Sequence, residues 1–555
     1  MKARIKRELL RALKRAQDLG RLPTVDVDEQ FFTLEEPRQA AHGDLATNMA
    51  MQLARVMRTA PREIAQAVVE ELGNGGGLFT KVEIAGPGFI NFFITPEAWM
   101  EVLPRIMREG PDYGRGDWGG GKKVLVEFVS ANPTGPLHVG HGRGAAVGDV
   151  LVRLMRFSGF DVTSEYYIND AGRQMQVLGR SVLLRARELM GEEVSLPEDH
   201  YQGGYIIELA RELLDSQWGK GLIQRGEEGI EEIAQWAAGR IMEQIKDDLK
   251  AFRVEFDSFQ SEKALRAKGE VEKALGELAG RGFIYDAEGA VWFRSSNFGD
   301  EKDRVVRRSN GELTYFATDI AYHHQKFLRG YEELVDIWGA DHHGYVPRLK
   351  AAMQALGHDP QQLKVMLVQM VSLVRGGEPV AMSTRAGQFV TLREVVEEVG
   401  ADAARFIFLT RRCDAQLEFD LALAREKSMD NPVYYVQYAH TRVASVMRKA
   451  TQRGLSPRVE AFVASALGEK DELALAKSLS RFPEEVHEAA ANLEPHRVCY
   501  YLQELAGQFH SYYNATRILV DDPVVANARL VLAAAVGQVL RTGLELMGVE
   551  APESM

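Results

Sequence analysis

The feature that most constrains the fold is a strand, a proline-broken loop and a small-residue helix between residues 124 and 148. The run from Val124 to Val129 is apolar and rich in β-branched residues, which is typical of a buried parallel strand. Pro133 and Pro136 end that strand and impose a loop. From Leu137 onward, glycine and alanine dominate a segment that we predict to be a helix. A parallel strand that leads into a helix predicts an α/β domain.

Two histidines stand at the predicted start of this helix. His138 and His141 are three residues apart, so we expect them to share one face of its first turn. A helix N-terminus carries unpaired N–H groups and a partial positive charge, and both favour phosphate. The imidazoles could donate further hydrogen bonds to a polyphosphate, and Gly140 lets a flat ring approach the backbone. The segment therefore predicts a nucleotide site.

The residues of this segment leave two other interpretations open. Gly140, Gly142 and Ala145 also fit the spacing of a dinucleotide-binding fingerprint. Asp161 or Glu165 falls near the position expected for its ribose-binding carboxylate. That fingerprint places its first glycine in the turn directly after the strand, whereas here a loop with prolines intervenes. The other alternative is a packed helix whose two histidines are satisfied internally.

Length and composition allow several domains with sizeable cores. The chain has 555 residues, of which 45% are hydrophobic. Its two cysteines, Cys413 and Cys499, argue against a disulfide framework and against a cysteine-based zinc site. The basic N-terminus lacks the apolar core of a secretory signal, and no uninterrupted apolar run is long enough to span a bilayer. We therefore expect a soluble cytoplasmic protein.

Polar residues also follow a later predicted strand, Leu334 to Trp338. Gly339 and Asp341 come directly after it, where the carboxyl edge of a parallel sheet binds ligands, so Asp341 is suited to ribose hydroxyls. Asp341, His342 and His343 could instead suggest a metal. Neighbouring side chains diverge and no further ligand accompanies them, so we predict no metal site.

A phenol and a carboxylate mark a second candidate site. Tyr315 and Asp319 are four residues apart and share the face of a predicted helix. A guanidinium presents a planar fork of donors that matches a carboxylate bidentately, so this pair could grip one. Helix capping is the alternative role of Asp319.

Several motifs together resemble arginyl-tRNA synthetases. Pro-Leu-His-Val-Gly-His, residues 136–141, is similar to the His-x-Gly-His signature of class I aminoacyl-tRNA synthetases, and residues 130–136 resemble the arginyl enzyme. Residues 381–385, Ala-Met-Ser-Thr-Arg, resemble the second class I signature, ordinarily Lys-Met-Ser-Lys. Ala381 and Thr384 replace both lysines, whose ammonium groups normally stabilise charge on the transferring phosphates. A non-catalytic tRNA-binding relative therefore remains an alternative, as does a nucleotide-dependent oxidoreductase.

The resemblance implies an α/β fold with a Rossmann-like parallel-sheet catalytic domain, a small N-terminal α+β domain and a C-terminal all-α helical bundle. We expect an N-terminal tRNA-contacting domain over residues 1–112 and an anticodon-binding domain over 426–555. The catalytic domain is expected over 120–425, with an insertion at about 188–260. Asp44 is predicted to cap a helix of the first domain. Asn431 and Pro432 should open a helix of the last.

The resemblance also implies the reaction and its residues. L-Arginine and ATP would give arginyl-adenylate and pyrophosphate, and the arginyl group would pass to the 3′ end of tRNA(Arg), with activation dependent on tRNA. ATP would act with Mg²⁺, without a tightly bound metal or organic cofactor, in a monomer with no membrane partner. The residues carried over are His138, Gly140, His141, Ser383 and Arg385 for the phosphates; Gly339, Asp341 and His342 for ribose and adenine; and Glu127, Ser130, Asn132, Tyr315 and Asp319 for arginine.

Overall fold

The computed structural model describes residues 1–380 and 389–555. Four positions discussed above, Ala381, Ser383, Thr384 and Arg385, lie outside these residues. Within them the chain forms a small N-terminal α+β region, an α/β region with a parallel sheet, and a C-terminal helical region. The predicted fold class is confirmed.

An antiparallel sheet covered by helices forms the N-terminal region. Its elements are α1 (Lys2–Asp18), β1 (Leu34–Glu35), β2 (Leu45–Thr47), α2 (Met49–Met57), α3 (Pro61–Leu72), β3 (Phe79–Ala85), β4 (Phe89–Ile94), α4 (Pro96–Met100) and α5 (Val102–Glu109). The strands lie in the order β1–β2–β4–β3. Strands β3 and β4 form a hairpin across Gly86-Pro87-Gly88, as the turn residues predict.

The predicted helix cap at Asp44 is wrong. Asp44 comes before β2, and α2 begins at Met49 after Asn48 as its N-cap. The Asp44 carboxylate accepts a hydrogen bond from the Ile94 amide at 2.8 Å and forms an ion pair with Lys477 of the helical region. The capping pattern failed because partners distant in sequence engage this carboxylate instead.

A parallel sheet forms the centre of the molecule. In chain order its region contains β5 (Lys123–Glu127), α6 (Val139–Phe157), β6 (Asp161–Ile168), α7 (Arg173–Leu189), α8 (Gly204–Asp215), α9 (Gln217–Arg225), α10 (Ile230–Ala251), β7 (Ser258–Ser261), α11 (Glu262–Ala267), α12 (Glu270–Gly280), β8 (Ile284–Ala287), β9 (Ala290–Phe293), β10 (Arg304–Arg307), α13 (Tyr315–Leu328), β11 (Glu333–Gly339), α14 (Val346–Ala355) and β12 (Leu363–Val368). The parallel strands lie in the order β12–β11–β5–β6–β7. The chain therefore runs outward from β5 on one side and from β11 on the other. Ligands of open parallel sheets bind at such a reversal, beyond the carboxyl ends of the strands.

The predicted strand and helix around residues 124–148 are both present, with shifted ends. Strand β5 stops at Glu127 because Val129 and Ser130 take positive φ angles of 66° and 39°, which end the extended conformation. Helix α6 begins at Val139 after His138 as its N-cap. The segment expected as an insertion, at about 188–260, contains α8, α9 and α10, and β10–β9–β8 form a separate antiparallel sheet.

The chain continues into a helical C-terminal region. The remaining elements are β13 (Val371–Arg375), β14 (Glu378–Pro379), α15 (Leu392–Val399), α16 (Ala401–Phe408), β15 (Leu417–Asp420), α17 (Leu421–Arg425), α18 (Pro432–Gln452), α19 (Lys470–Ala491), α20 (His496–Ala515) and α21 (Pro523–Leu546). The predicted start of α18 is confirmed, because the Asn431 side chain accepts a hydrogen bond from the Val433 amide at 3.2 Å. Helices α18, α20 and α21 pack against one another.

Helix α21 is long and apolar enough to cross a membrane by length and composition alone, but 67% of its most apolar window is buried inside the protein. Sequence inspection reaches only Leu530 to Val536, because Arg529 precedes that run and Gln538 lies two residues beyond it. Arg529 pairs with the buried Glu472 at 2.8 Å, so its charge is satisfied within the bundle. Helix α21 thus has the position and contacts of a core helix.

Candidate active site

The two histidines cap the helix that follows the first parallel strand. His138 is the N-cap of α6, and its Nδ1 accepts a hydrogen bond from the Gly140 amide at 3.1 Å. Nδ1 of His141 accepts from the His138 amide at 3.2 Å, and the two rings stack with centroids 3.7 Å apart. The prediction that both lie in the first helical turn is correct for His141 only.

This capping arrangement determines the chemistry that the rings can offer. Because each Nδ1 accepts a backbone N–H, a neutral imidazole here carries its proton on Nε2. Burial lowers the pKa of His138 and lowers that of His141 to about 3. Both rings are therefore neutral N–H donors at physiological pH. Such donors suit phosphate oxygens, at the positive end of the helix dipole.

The segment after the undescribed residues lies against this helix start. The Val139 amide donates to the Val390 carbonyl at 3.2 Å, and the Leu392 amide donates to the Leu137 carbonyl at 2.8 Å. The Phe389 ring meets His138 edge-on, with centroids 6.1 Å apart. The histidine turn is thus held by residues 389–392, which follow the second signature in sequence.

A strained turn follows β5 at the same edge of the sheet. A positive φ at the β-branched Val129 is unfavourable, so the surrounding contacts must hold this conformation. Ser130 Oγ donates to Glu127 Oε1 at 2.8 Å and accepts from the Tyr167 amide at 3.0 Å. Asn132 Nδ2 donates to Gln174 Oε1 at 2.7 Å. The structure thus brings the predicted residues Ser130 and Asn132 to the carboxyl ends of β5 and β6.

Glu127, which is predicted to bind arginine, is buried and paired within the protein. It is only 5% exposed, and its second oxygen pairs with Lys326. Lys326 also pairs with Asp336 at 2.8 Å, and Asp336 contacts His323 Nε2 at 2.7 Å. Burial is the largest single influence on the pKa of Asp336 and raises it. The contacts with Lys326 and His323 together outweigh burial and hold that pKa below its ordinary value. Both oxygens of Glu127 are thus engaged within the protein.

Asp319 has a different phenol partner from the one predicted. Its carboxylate accepts a hydrogen bond from the Tyr345 hydroxyl, whereas Tyr315 is 49% exposed. Tyr315 is the first residue of α13 and turns toward solvent near Gly172, so its joint grip on a guanidinium with Asp319 stays a prediction. Burial raises the pKa of Asp319 above its ordinary value. A cationic ligand would supply a positive charge beside this carboxylate and so favour its ionised form.

Two further residues face Asp319, and sequence inspection missed one of them, Glu262. Glu262 is 2% exposed, pairs with Arg266, and has its pKa raised to about 7, first by burial and then by the charges of Asp319 and Asp170. The Tyr167 hydroxyl is buried and has no hydrogen-bond partner among the described residues. Their signal was positional, because Tyr167 lies near the carboxyl end of β6 and Glu262 directly follows β7. Polar side chains at the carboxyl ends of parallel strands are candidates for ligand contact.

The residues predicted for ribose and adenine follow β11 and are open to solvent. Gly339 ends the strand, and the Asp341 and His342 side chains are 81% and 60% exposed, with 3.5 Å between Asp341 Oδ2 and His342 Nε2. Met370, just beyond β12, is 79% exposed. Because β11 and β5 are neighbours at the reversal of strand order, these residues and the histidines border one crevice.

The carboxylates of the dinucleotide interpretation are placed elsewhere. Asp161 begins β6, at the edge of the sheet opposite the histidines. Glu165 is fully buried, and its two oxygens pair with Arg329 at 2.6 and 2.8 Å and accept from the Tyr322 hydroxyl at 2.7 Å. Neither carboxylate is available to a ribose in the crevice, so this interpretation is wrong.

Three family models match the chain in succession. The model of the arginyl-tRNA synthetase N-terminal domain matches residues 3–94, and that of the class I (R) tRNA synthetase catalytic domain matches residues 105–415. The model of the DALR anticodon-binding domain matches residues 436–555. The chain belongs to the arginyl-tRNA synthetase family. The family predicted from the motifs is confirmed.

Similar proteins agree with the family models over the whole chain. The chain is 53% identical to an arginine–tRNA ligase of Syntrophotalea carbinolica, with 100% of each covered. It is 55% identical to an arginine–tRNA ligase of Desulfosudis oleivorans over 94% of each. The solved arginyl-tRNA synthetase of Thermus thermophilus has a TM-score of 0.74 and 24% identity, covering 99% of this chain and 100% of that one. At that identity the likeness to the solved structure shows the fold alone.

Proposed function

We propose that the protein is an arginine–tRNA ligase: it activates L-arginine with ATP and transfers the arginyl group to the 3′ end of tRNA(Arg). The observation that carries this proposal is the pairing of two recognition surfaces along one sheet edge. Neutral histidine donors stand after β5, and the carboxylates of Asp319 and Glu262 lie across the crevice. The first surface suits a triphosphate, and the second suits a guanidinium.

In the first step the arginine carboxylate attacks the α-phosphorus of ATP, and pyrophosphate leaves. Nε2–H of His138 and of His141 would donate to phosphate oxygens, and the positive end of the α6 dipole would add to that stabilisation. Because the rings are neutral and fixed by backbone contacts, they act by orientation and hydrogen bonding. ATP use follows from class I membership, and we infer that Mg²⁺ arrives with the ATP.

The amino-acid pocket would select arginine by its guanidinium. Asp319 and Glu262 offer the carboxylate oxygens, and the Tyr167 hydroxyl offers a further buried polar group. Ser130 and Asn132 border the opposite side and are suited to the α-amino and carboxylate groups. An amino acid that leaves these groups unpaired would be rejected by roughly 10⁴-fold.

In the second step a hydroxyl of the terminal ribose of tRNA attacks the arginyl carbonyl, and AMP leaves. We infer that tRNA is needed before arginine is activated, as the sequence resemblance implies. The inferred division is a tRNA-contacting domain at 1–112, a catalytic domain at 120–425 with an insertion at about 188–260, and an anticodon-binding domain at 426–555. We further propose a cytoplasmic monomer, with Asp341 and His342 on the ATP ribose and adenine and with Ser383 and Arg385 on the phosphates.

The test is ATP–pyrophosphate exchange with arginine or lysine, each with and without tRNA(Arg). We expect exchange with arginine plus tRNA and none above background with lysine. Binding of tRNA without any exchange would instead identify a non-catalytic relative, in which Ala381 and Thr384 have disabled the second signature. Exchange with both amino acids at similar kcat/KM would contradict the proposed guanidinium pocket.

A further inference from the structure

A fully buried lysine lies behind the proposed arginine pocket. Lys326 is 0% exposed, and its Nζ pairs with Glu127 Oε2 and with Asp336 Oδ1. The ring of Tyr322 lies with its centroid 4.5 Å from the same Nζ. An ammonium has three donors, and here two carboxylates and an aromatic face surround it.

The stability of the fold does not by itself explain this lysine. A buried ion pair recovers little more than the cost of removing its charges from water, and apolar residues of similar volume often stabilise a core equally well. A second internal ion pair lies nearby, since Arg329, the C-cap of α13, neutralises the buried Glu165. The interior behind the pocket therefore contains acids that are each supplied with an internal cation.

The contacts of Lys326 lead directly to the turn that borders the pocket. Lys326 engages one oxygen of Glu127, and the other oxygen accepts from Ser130 Oγ at 2.8 Å. Ser130 Oγ in turn accepts from the Tyr167 amide at 3.0 Å. Ser130 and Val129 are the residues with strained positive φ angles. A change at Lys326 would thus reach the turn through a single carboxylate.

The space that the ammonium occupies is also lined by side chains that could coordinate a metal cation. Glu127, His323 and Asp336 offer ligand atoms that all lie within 4.8 Å of one another. Two carboxylates and an imidazole would suit a divalent transition metal. In this protein the Lys326 ammonium pairs with both carboxylates, so it occupies the position that another cation would take.

We propose that Lys326 is a positioning residue of the arginine site, an internal cation that holds Glu127 and Ser130 in place and denies the space between Glu127, His323 and Asp336 to other cations. The proposal rests on the proposed function for its link to arginine. With Glu127 and Asp336 compensated internally, Asp319 and Glu262 are left for the substrate guanidinium. The guanidinium of the substrate then binds at Asp319 and Glu262 and does not enter the space that Lys326 fills.

The first test separates arginine from ATP. Lys326→Met keeps the approximate volume and removes the charge, and Lys326→Arg keeps the charge. We expect Lys326→Met to raise the arginine KM at least tenfold while the ATP KM stays within twofold, and Lys326→Arg to recover part of the loss. The matched control is Lys273→Met, whose side chain is 68% exposed on α12. An unchanged arginine KM, or an equal rise in both KM values, would overturn the proposal.

The second test does not depend on arginine at all. Lys326→Ala empties the space, so titration with Co²⁺ alone should give one bound equivalent and a visible absorption band that wild type and Lys326→Ala/His323→Ala lack. Binding by wild type as well, or by none of the three, would overturn the cation site. If Lys326→Ala does not fold by circular dichroism, the KM comparison with Lys326→Met decides. Failure of the proposed function would appear differently, as wild type without arginine-dependent exchange.

Discussion

The two halves of the proposed site would recognise their ligands in different ways. On the phosphate side, His138 and His141 are neutral, and each is oriented by a backbone amide within three residues of it. On the amino-acid side, Asp319 is oriented by Tyr345, and Glu262 by Arg266. The first half is a local arrangement of dipoles, whereas the second is a set of charges assembled from several elements.

The difference follows from what each ligand carries. A triphosphate brings its own charge and needs donors aimed at its oxygens, which a capped helix start provides without any buried charge. A guanidinium needs carboxylates, and buried carboxylates need partners that keep them ionised until the substrate arrives. We therefore expect the phosphate side to be insensitive to pH and the amino-acid side to depend on it.

The largest expected effect comes from removing the His138 ring while keeping an N-cap for α6. Asparagine is a strong N-cap, so His138→Asn should preserve the start of α6 and lose the Nε2–H donor. We expect the exchange rate to fall roughly 10²–10³-fold, as for loss of a transition-state donor. Thermal unfolding should change little, whereas His138→Ala should also cost about 1 kcal/mol of stability. An unchanged exchange rate in His138→Asn, together with a loss in His138→Ala, would mean that the ring serves only as a cap.

The next effect tests whether the acids on the other side bind the substrate cation. Asp319→Asn preserves shape and removes the charge, so the arginine KM should rise about 100-fold, as expected for loss of one partner of a buried charge pair. The ATP KM should change much less. Asp286→Asn, on the separate antiparallel sheet, is the control. Equal increases in both KM values would show that Asp319 supports the fold of the crevice and does not contact arginine.

The same contrast explains what the sequence could reveal. The histidine turn was predictable because its strand, prolines, glycines and histidines all lie within residues 124–148. Helical spacing predicts Tyr315 beside Asp319, but it cannot show that Tyr345, from the turn after β11, donates a hydrogen bond to Asp319. Glu262 was missed because it follows the short strand β7, which pairs at the far edge of the sheet. Contacts between distant elements were the part that local patterns could not supply.

A pH titration compares the two halves in one experiment. The pKa of Glu262 is raised to about 7, so lowering the pH from 8 to 6 protonates it in the free enzyme and removes a charge from the arginine pocket. We expect kcat/KM for arginine to fall about tenfold over this range. The pKa of His141 is lowered to about 3, so kcat/KM for ATP at saturating arginine should stay nearly level. Glu262→Gln should abolish this pH dependence of kcat/KM for arginine. A tenfold fall that persists in that variant would exclude Glu262 as its source.

The smallest expected effect decides which phenol assists Asp319. Tyr345→Phe removes the hydroxyl that donates to this carboxylate, so the arginine KM should rise about fivefold, equivalent to about 1 kcal/mol. Tyr315→Phe should change it less than twofold, because that side chain is largely exposed. Steady-state kinetics of both variants, with ATP saturating, make the comparison. If Tyr315→Phe has the larger effect, substrate binding draws Tyr315 onto the guanidinium. The sequence-based pair would then describe the bound enzyme, and the Tyr345 contact would belong to the empty pocket.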